Sequence, residues 1–307
     1  MSANPAPPLT LWLPALRHFD AAHPLRRELA RADRLQAGAE GYLGGLADYF
    51  PGMGSELPAA ALMRELIASD AGDALWLCAD PAWVQPDMNG VRLLACGRLQ
   101  LNVEDAHALA NAVRPVIHDA GLLLETTTPD RWHLKFPRET ALPAFVAPEQ
   151  GMGEDLSQHL PRGEEGRPWR LLFNEIQVVL HQHPLNAHRR AQGLPPINSL
   201  WFWGGGHLPA AWTGAWHGVT SDDLLVRALA HHADIAHQPR THETLAAAGR
   251  GWLVDLQDLP PEEIASTWWI TLRSLFDRQP VAVHFTNGER WLRQPWHRWR
   301  FWRGDVH

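Results

Sequence analysis

The chain holds one lysine, Lys135, so a phosphate-loop lysine has no place elsewhere and Schiff-base chemistry has a single candidate. Cysteine is nearly as scarce. Cys78 and Cys96 stand apart beside apolar runs and read as buried thiols, which implies neither a disulfide nor a metal pair. No apolar run approaches the roughly 20 residues of a membrane helix, and residues 1–8 lack both a basic start and an apolar stretch of signal length. The expectation is a cytoplasmic protein without a membrane span. A cationic surplus is missing too: the formal charge is −7, which argues against nucleic acid as a partner. There is no Gly-x-Ser-x-Gly elbow, no two-histidine zinc motif and no base beside either cysteine. Hence no catalytic residue and no metal set is named, and no cofactor is expected.

What remains is ordinary globular material. With 45% hydrophobic and 20% charged residues over 307 positions, the chain can bury a full core. Apolar spacing predicts helices over 22–36, 58–68, 168–180 and 260–276. Another is expected from a cap at Asn102 to Ile117, kinked or shortened by Pro115, and another from Ser221 or Asp222 to Ala230. Short strands are expected over 74–78, 91–94, 122–125, 132–136, 200–203, 251–255 and 281–285. Pro81, Pro86, Asn89 and Gly90 mark a loop between the first two, residues 49–55 a turn-rich connector, and 138–166 the most flexible crossing. This alternation describes an α/β protein, a mixed sheet flanked by helices, folded as one compact unit over 1–307.

Two histidine groups invite a metal reading and fail it. Pro184 interrupts His181, His183 and His188 with no carboxylate at ligand spacing, and His231, His232, Asp234 and His237 lack the helical zinc spacing. Gly204, Gly205 and Gly206, after an apolar strand, could offer backbone N–H groups to a phosphate, or simply make a tight turn. Arg189 lies just upstream, and a guanidinium fork suits phosphate or carboxylate oxygens. Tryptophan is over-represented, with 16 residues mostly after Leu200. In the C-terminal stretch Trp291, Trp296, Trp299 and Trp302 interleave with Arg293, Arg298 and Arg300, which suggests either docking of a protein partner or intramolecular packing.

The densest motif is residues 174–206, NEIQVVLHQHPLNAHRRAQGLPPINSLWFWGGG. It is similar to the archaeal-type cofactor-independent phosphoglycerate mutases, which His183, Pro184, Asn186, Arg189, Gly193, Pro195, Asn198, Trp201, Gly204 and Gly206 fit in one register. Ala79-Asp80 through Gly97-Arg98 resembles the strand and turn before that family's small inserted domain, and Val103 to Val113 its first helix. With Asn174-Glu175-Ile176-Gln177, Asn198-Ser199-Leu200-Trp201 and the closing Trp-Arg-Phe-Trp-Arg, the whole string resembles the bacterial RpfE-type regulatory family. The resemblance implies part of the alkaline-phosphatase-like scaffold, with an inserted α+β subdomain over 98–197 and a main sheet from 1–97 and 198–307. It also implies an anion-binding set of His183, Asn186, Arg189, Asn198, Gly204, Gly205 and Gly206, for a phosphorylated or anionic small molecule.

The mutases place a phosphate-accepting Ser and two metal ions, held by Asp and His, at the carboxyl edge of their sheet, because phosphoryl transfer needs a nucleophile and nearby positive charge. This sequence departs from them there. Gly52-Met53-Gly54 echoes the mutases' opening, but Pro51 and Ser55 stand where metal-binding Asp residues are expected, and no Asp-x-x-x-His pair follows Gly206. The reading is a non-catalytic relative with a regulatory or ligand-sensing role; the alternative is an active mutase-type phosphotransfer enzyme with rearranged ligands.

Overall fold

Leu9–Leu13 forms the first strand, β1, in which Leu9, Leu11 and Leu13 are fully buried and Trp12 nearly so. Burial on both faces is the mark of a central parallel strand, and it explains why the segment reads as a continuous apolar run. A computed structural model describes residues 6–53, 57–88 and 90–300. Gly54, Ser55, Asn89 and residues 301–303, on which some expectations above fall, lie outside them.

In chain order β1 is followed by α1 (Pro24–Arg31), β2 (Asp33–Arg34), α2 (Gly41–Tyr49), α3 (Ala59–Ala68), β3 (Leu75–Asp87), β4 (Gly90–Cys96) and α4 (Val103–Asp119). Then come β5 (Leu123–Thr128), β6 (Arg131–Phe136), α5 (Pro148–Gly151), α6 (Arg167–Gln182), α7 (Pro184–Ala191) and β7 (Ser199–Gly206). The last third supplies β8 (Gly218–Thr220), α8 (Leu224–His232), β9 (Ala236–Gln238), α9 (His242–Ala247), β10 (Trp252–Asp255) and α10 (Pro261–Glu263), then α11 (Trp269–Arg278), β11 (Val281–Phe285) and β12 (Arg290–Arg293). They divide into two units, one of residues 1–54 with 211–307 and one of residues 55–210.

The discontinuous unit holds a seven-stranded sheet ordered β2-β12-β11-β1-β10-β8-β9. β11, β1, β10, β8 and β9 run parallel, and β12 and β2 add an antiparallel edge. Leu9, Leu11, Val254, Val281 and Val283 from the strands meet Leu25 and Leu29 of α1 and Leu272, Leu275 and Phe276 of α11 in one apolar core. Each such side chain contributes about 1.5–3 kcal/mol on burial. Helix 260–276 was expected to be continuous; instead a π-helical turn, Ile264–Trp268, separates α10 from α11. The cap of α8 is Asp223, not Ser221 or Asp222, because its carboxylate accepts from Leu225 N–H at 2.8 Å and Val226 N–H at 3.2 Å.

The contiguous unit carries an antiparallel sheet, β4-β3-β6-β5, with β7 also paired to β3. β3, β4 and β7 therefore belong to this sheet and not to a main sheet built from 1–97 and 198–307, and the unit's bounds lie well outside 98–197. β3 also runs through Pro81 and Pro86, where a loop was expected. The Pro81 carbonyl accepts from Gly97 N–H at 3.0 Å, just past the end of β4, so the proline still pairs through its acceptor and gives up only its own N–H, at the margin of that ladder. α4 is capped by Asn102, whose side chain accepts from Asp105 N–H at 2.7 Å, and it continues beyond Pro115 to Asp119. The crossing at 138–166 contains α5 and is tied to the sheet by Trp201, whose indole donates to Val146 O at 3.0 Å.

Candidate functional site

In open α/β sheets the loops at the carboxyl ends of parallel strands surround the natural binding crevice. Here β8 and β10, and β9 beyond β8, deliver Ser221-Asp222-Asp223, Asp255 with Asp258, and Arg240 to that edge. Asp255 is the last residue of β10 and is fully buried. It accepts from Ser221 Oγ at 2.7 Å and from Gln257 N–H at 3.2 Å, while Ser221 Oγ accepts from Asp223 N–H at 2.9 Å. Burial, followed by the nearby Asp223 and Asp258, pushes the Asp255 carboxyl up to about 7, against the help of its two hydrogen bonds.

Arg240 lies at the centre of the acidic group. Its Nη1 and Nη2 grip Asp258 in a bidentate pair at 2.6 and 3.0 Å, Nη1 also donates to the Asp255 carbonyl at 3.1 Å, and Nε reaches Asp222 at 3.4 Å. The Arg240 N–H adds a bond to Asp222 at 2.9 Å. Burial disfavours the guanidinium's charge, but the paired Asp258, with Asp255 and Asp222, more than offsets this and holds its pKa above the ordinary value. A planar guanidinium so occupied has little donor capacity left for a substrate oxygen. Among the described residues no group of three or more His, Cys, Asp or Glu side chains is placed to hold a metal ion.

An aromatic layer flanks this cluster. The two tyrosines of the chain both sit on α2, two turns apart, and both meet Trp12: Tyr42 stacks on it at 5.7 Å and Tyr49 approaches edge-on at 5.1 Å. Gly45 lies between them because a Cβ there would come within 2.5 Å of the Trp12 ring. Tyr42 OH donates to Asp223 at 3.0 Å, and Tyr49 OH lies 3.1 Å from His284 Nδ1 on β11. Burial raises the Tyr49 phenol, so it keeps its proton and donates. Burial, with the Arg290 charge, lowers His284 to about 4, so its ring is a neutral acceptor.

The residues expected to bind an anion lie in the contiguous unit and serve its backbone. His183 ends α6 and caps α7, its Nδ1 accepting from Leu185 N–H at 3.3 Å. Asn186, fully buried, donates to Leu180 O and Ile197 O and accepts from Ile197 N–H, each at 2.7 Å. Arg189, 1% exposed, donates to the carbonyls of Pro195, Leu99 and Gln100. Asn198 pairs with both backbone groups of Val84 at 2.8–2.9 Å. Gly204, Gly205 and Gly206 form the end of β7, away from this clamp, with Gly206 opposite Trp76 of β3. Added Cβ atoms at Gly204 and Gly206 would come within 2.7 Å of Ala59 and Pro58, so the glycines let the start of α3 lie against the strand.

Arg240 and the acidic residues around it were not singled out as a site from the sequence. The signals present were Asp255-x-x-Asp258 after an apolar run and the Ser221-Asp222-Asp223 string; Arg240 carried none.

At the sequence level the relatives named here match one part of the chain. A stretch of 62 residues is 40% identical to the 2,3-bisphosphoglycerate-independent phosphoglycerate mutase of Methanosarcina mazei. A stretch of 64 residues is 39% identical to the probable 2,3-bisphosphoglycerate-independent phosphoglycerate mutase of Geobacter sulfurreducens. These cover 20% and 21% of this chain and 16% of each relative. The solved structure of the PH0037 protein from Pyrococcus horikoshii shares the fold with a TM-score of 0.53 at 13% identity, over 94% of this chain and 87% of that one. No protein-family model matches the sequence.

Proposed function

We propose that this chain is a non-catalytic, phosphoglycerate-mutase-like protein with a regulatory or ligand-sensing role, the kind of role that the RpfE-type resemblance implies. One observation carries the reading: two of the acidic residues at the carboxyl edge of the parallel sheet, Asp258 and Asp222, are held by the chain's own guanidinium, Arg240. Mutase chemistry calls for two cations and a serine nucleophile at such an edge. The residues present do not fit a metal pair, because a bidentate Arg takes the carboxylate oxygens that a cation would need. Ser221 is fully buried and engaged with Asp255, so it is not presented to a substrate. The fold alone does not carry activity. The ligand class in keeping with the resemblance is a phosphorylated or anionic small molecule.

Turnover of 3-phosphoglycerate should be absent with Mg, Mn or Co ions added, and calorimetric titration of the same ions should give no saturable binding. Metal-dependent mutase turnover by the wild-type chain would refute the proposal.

A further inference from the structure

Trp296 and Trp299 are 57% and 64% exposed, an unusual state for so large an apolar ring. They sit three residues apart on the 3-10 helix Pro295–Trp299, a spacing that places both side chains on one edge. The turn is firmly anchored. Its His297 is fully buried, Arg300 donates to Arg31 O at 3.1 Å and to Asp33 at 2.5 Å, and Arg293 just before it pairs with Glu28 at 2.9 Å. The rings are thus held outward by a built support, with Arg300 over Trp296 at 4.6 Å and Arg298 over Trp299 at 5.1 Å.

The local charge is unbalanced. Glu28, Asp33 and Glu289 are engaged by Arg293, Arg300 and Arg34, whereas Arg298, exposed over Trp299, has no ion pair among the described residues. A cationic, aromatic surface therefore stands on a chain of net charge −7. The geometry points to a docking surface for an acidic polypeptide segment with interspersed apolar side chains, the Trp296 and Trp299 rings taking the apolar groups and Arg298 a carboxylate. Rigid aromatic anchors beside guanidinium groups are the usual source of binding energy at protein interfaces. A nucleic-acid strand fits less well, since its continuous phosphate charge would meet the acidic remainder of the molecule.

The test uses the whole chain and a fluorescein-labelled peptide of alternating glutamate and leucine, followed by anisotropy at low and high salt. Saturable binding that weakens with salt is expected, together with a loss of at least about tenfold in the Trp296→Ala/Trp299→Ala double variant and in Arg298→Glu. All three side chains are exposed, so thermal unfolding of Arg298→Glu should match wild type and separate lost docking from lost fold. No saturable binding, unchanged affinity in both variants, or tighter binding of a labelled oligothymidylate of equal charge would overturn the inference.

Discussion

At the scale of single residues, the polar side chains of this protein act mostly on its own backbone. Asn186 closes three hydrogen bonds at full burial, so Asn186→Ala strips the Ile197 carbonyl and N–H of their partner in the core and leaves Leu180 O with the His183 N–H alone. We expect a loss of about 3 kcal/mol in urea unfolding, since each buried unsatisfied group costs about 1–3 kcal/mol. A loss below about 1 kcal/mol would show that the clamp is dispensable. Arg240 presents the opposite case, a charge whose removal exposes other charges. Arg240→Met keeps the length of the side chain but leaves Asp258 and Asp222 without their cation near the buried Asp255, with an expected cost of about 3–5 kcal/mol. If that variant unfolded at the wild-type urea midpoint, the guanidinium would not be what holds the acidic cluster together.

At the scale of elements, the end of β7 shows what three consecutive glycines do. Gly204 has φ +61° and a would-be Cβ contact of 2.7 Å with Ala59, whereas Gly193 has φ +73° with open space around it. Gly193→Ala should therefore cost only the conformational penalty of about 1 kcal/mol, and Gly204→Ala clearly more, as measured by thermal unfolding. Equal costs would mean that α3 does not press on the strand. Periodicity revealed the long amphipathic helices and the Asn102 cap, and β11 falls on Val281–Phe285 as expected. It did not reveal α2, whose glycines at positions 41, 44 and 45 have poor helix propensity; packing of Gly45 on Trp12 outweighs that deficit. Nor could it assemble Ser221, Arg240 and Asp255, because only the neighbour order β10-β8-β9 brings those loops together. Glycine after an apolar strand reads as a turn until a partner strand and helix are seen to claim it.

At the scale of the whole molecule, buried titrating groups give stability opposing slopes with pH. His133, which burial lowers to about 3, and His284, lowered to about 4, are both below the ordinary 6.5, so their contribution is present above that value and is lost as pH falls toward the folded values. Asp255 is raised from 3.8 to about 7, so its contribution is present below 3.8 and is lost as pH rises through 7. Asp255→Asn should thus gain on wild type as pH rises from about 4 to about 7, and His284→Gln should flatten the acid limb of the unfolding midpoint. A constant Asp255→Asn difference across that range would refute the buried neutral carboxyl. The position of β1 has its own consequence for biosynthesis. Its sheet neighbours, β10 and β11, are translated long after it, so a nascent polypeptide carries a bare apolar segment while the 55–210 unit already has all its strands. Residues 9–13 thus stay unpaired until the last quarter of the chain is made, and chain arrest before Trp252 is expected to yield a product more prone to aggregation than the full chain.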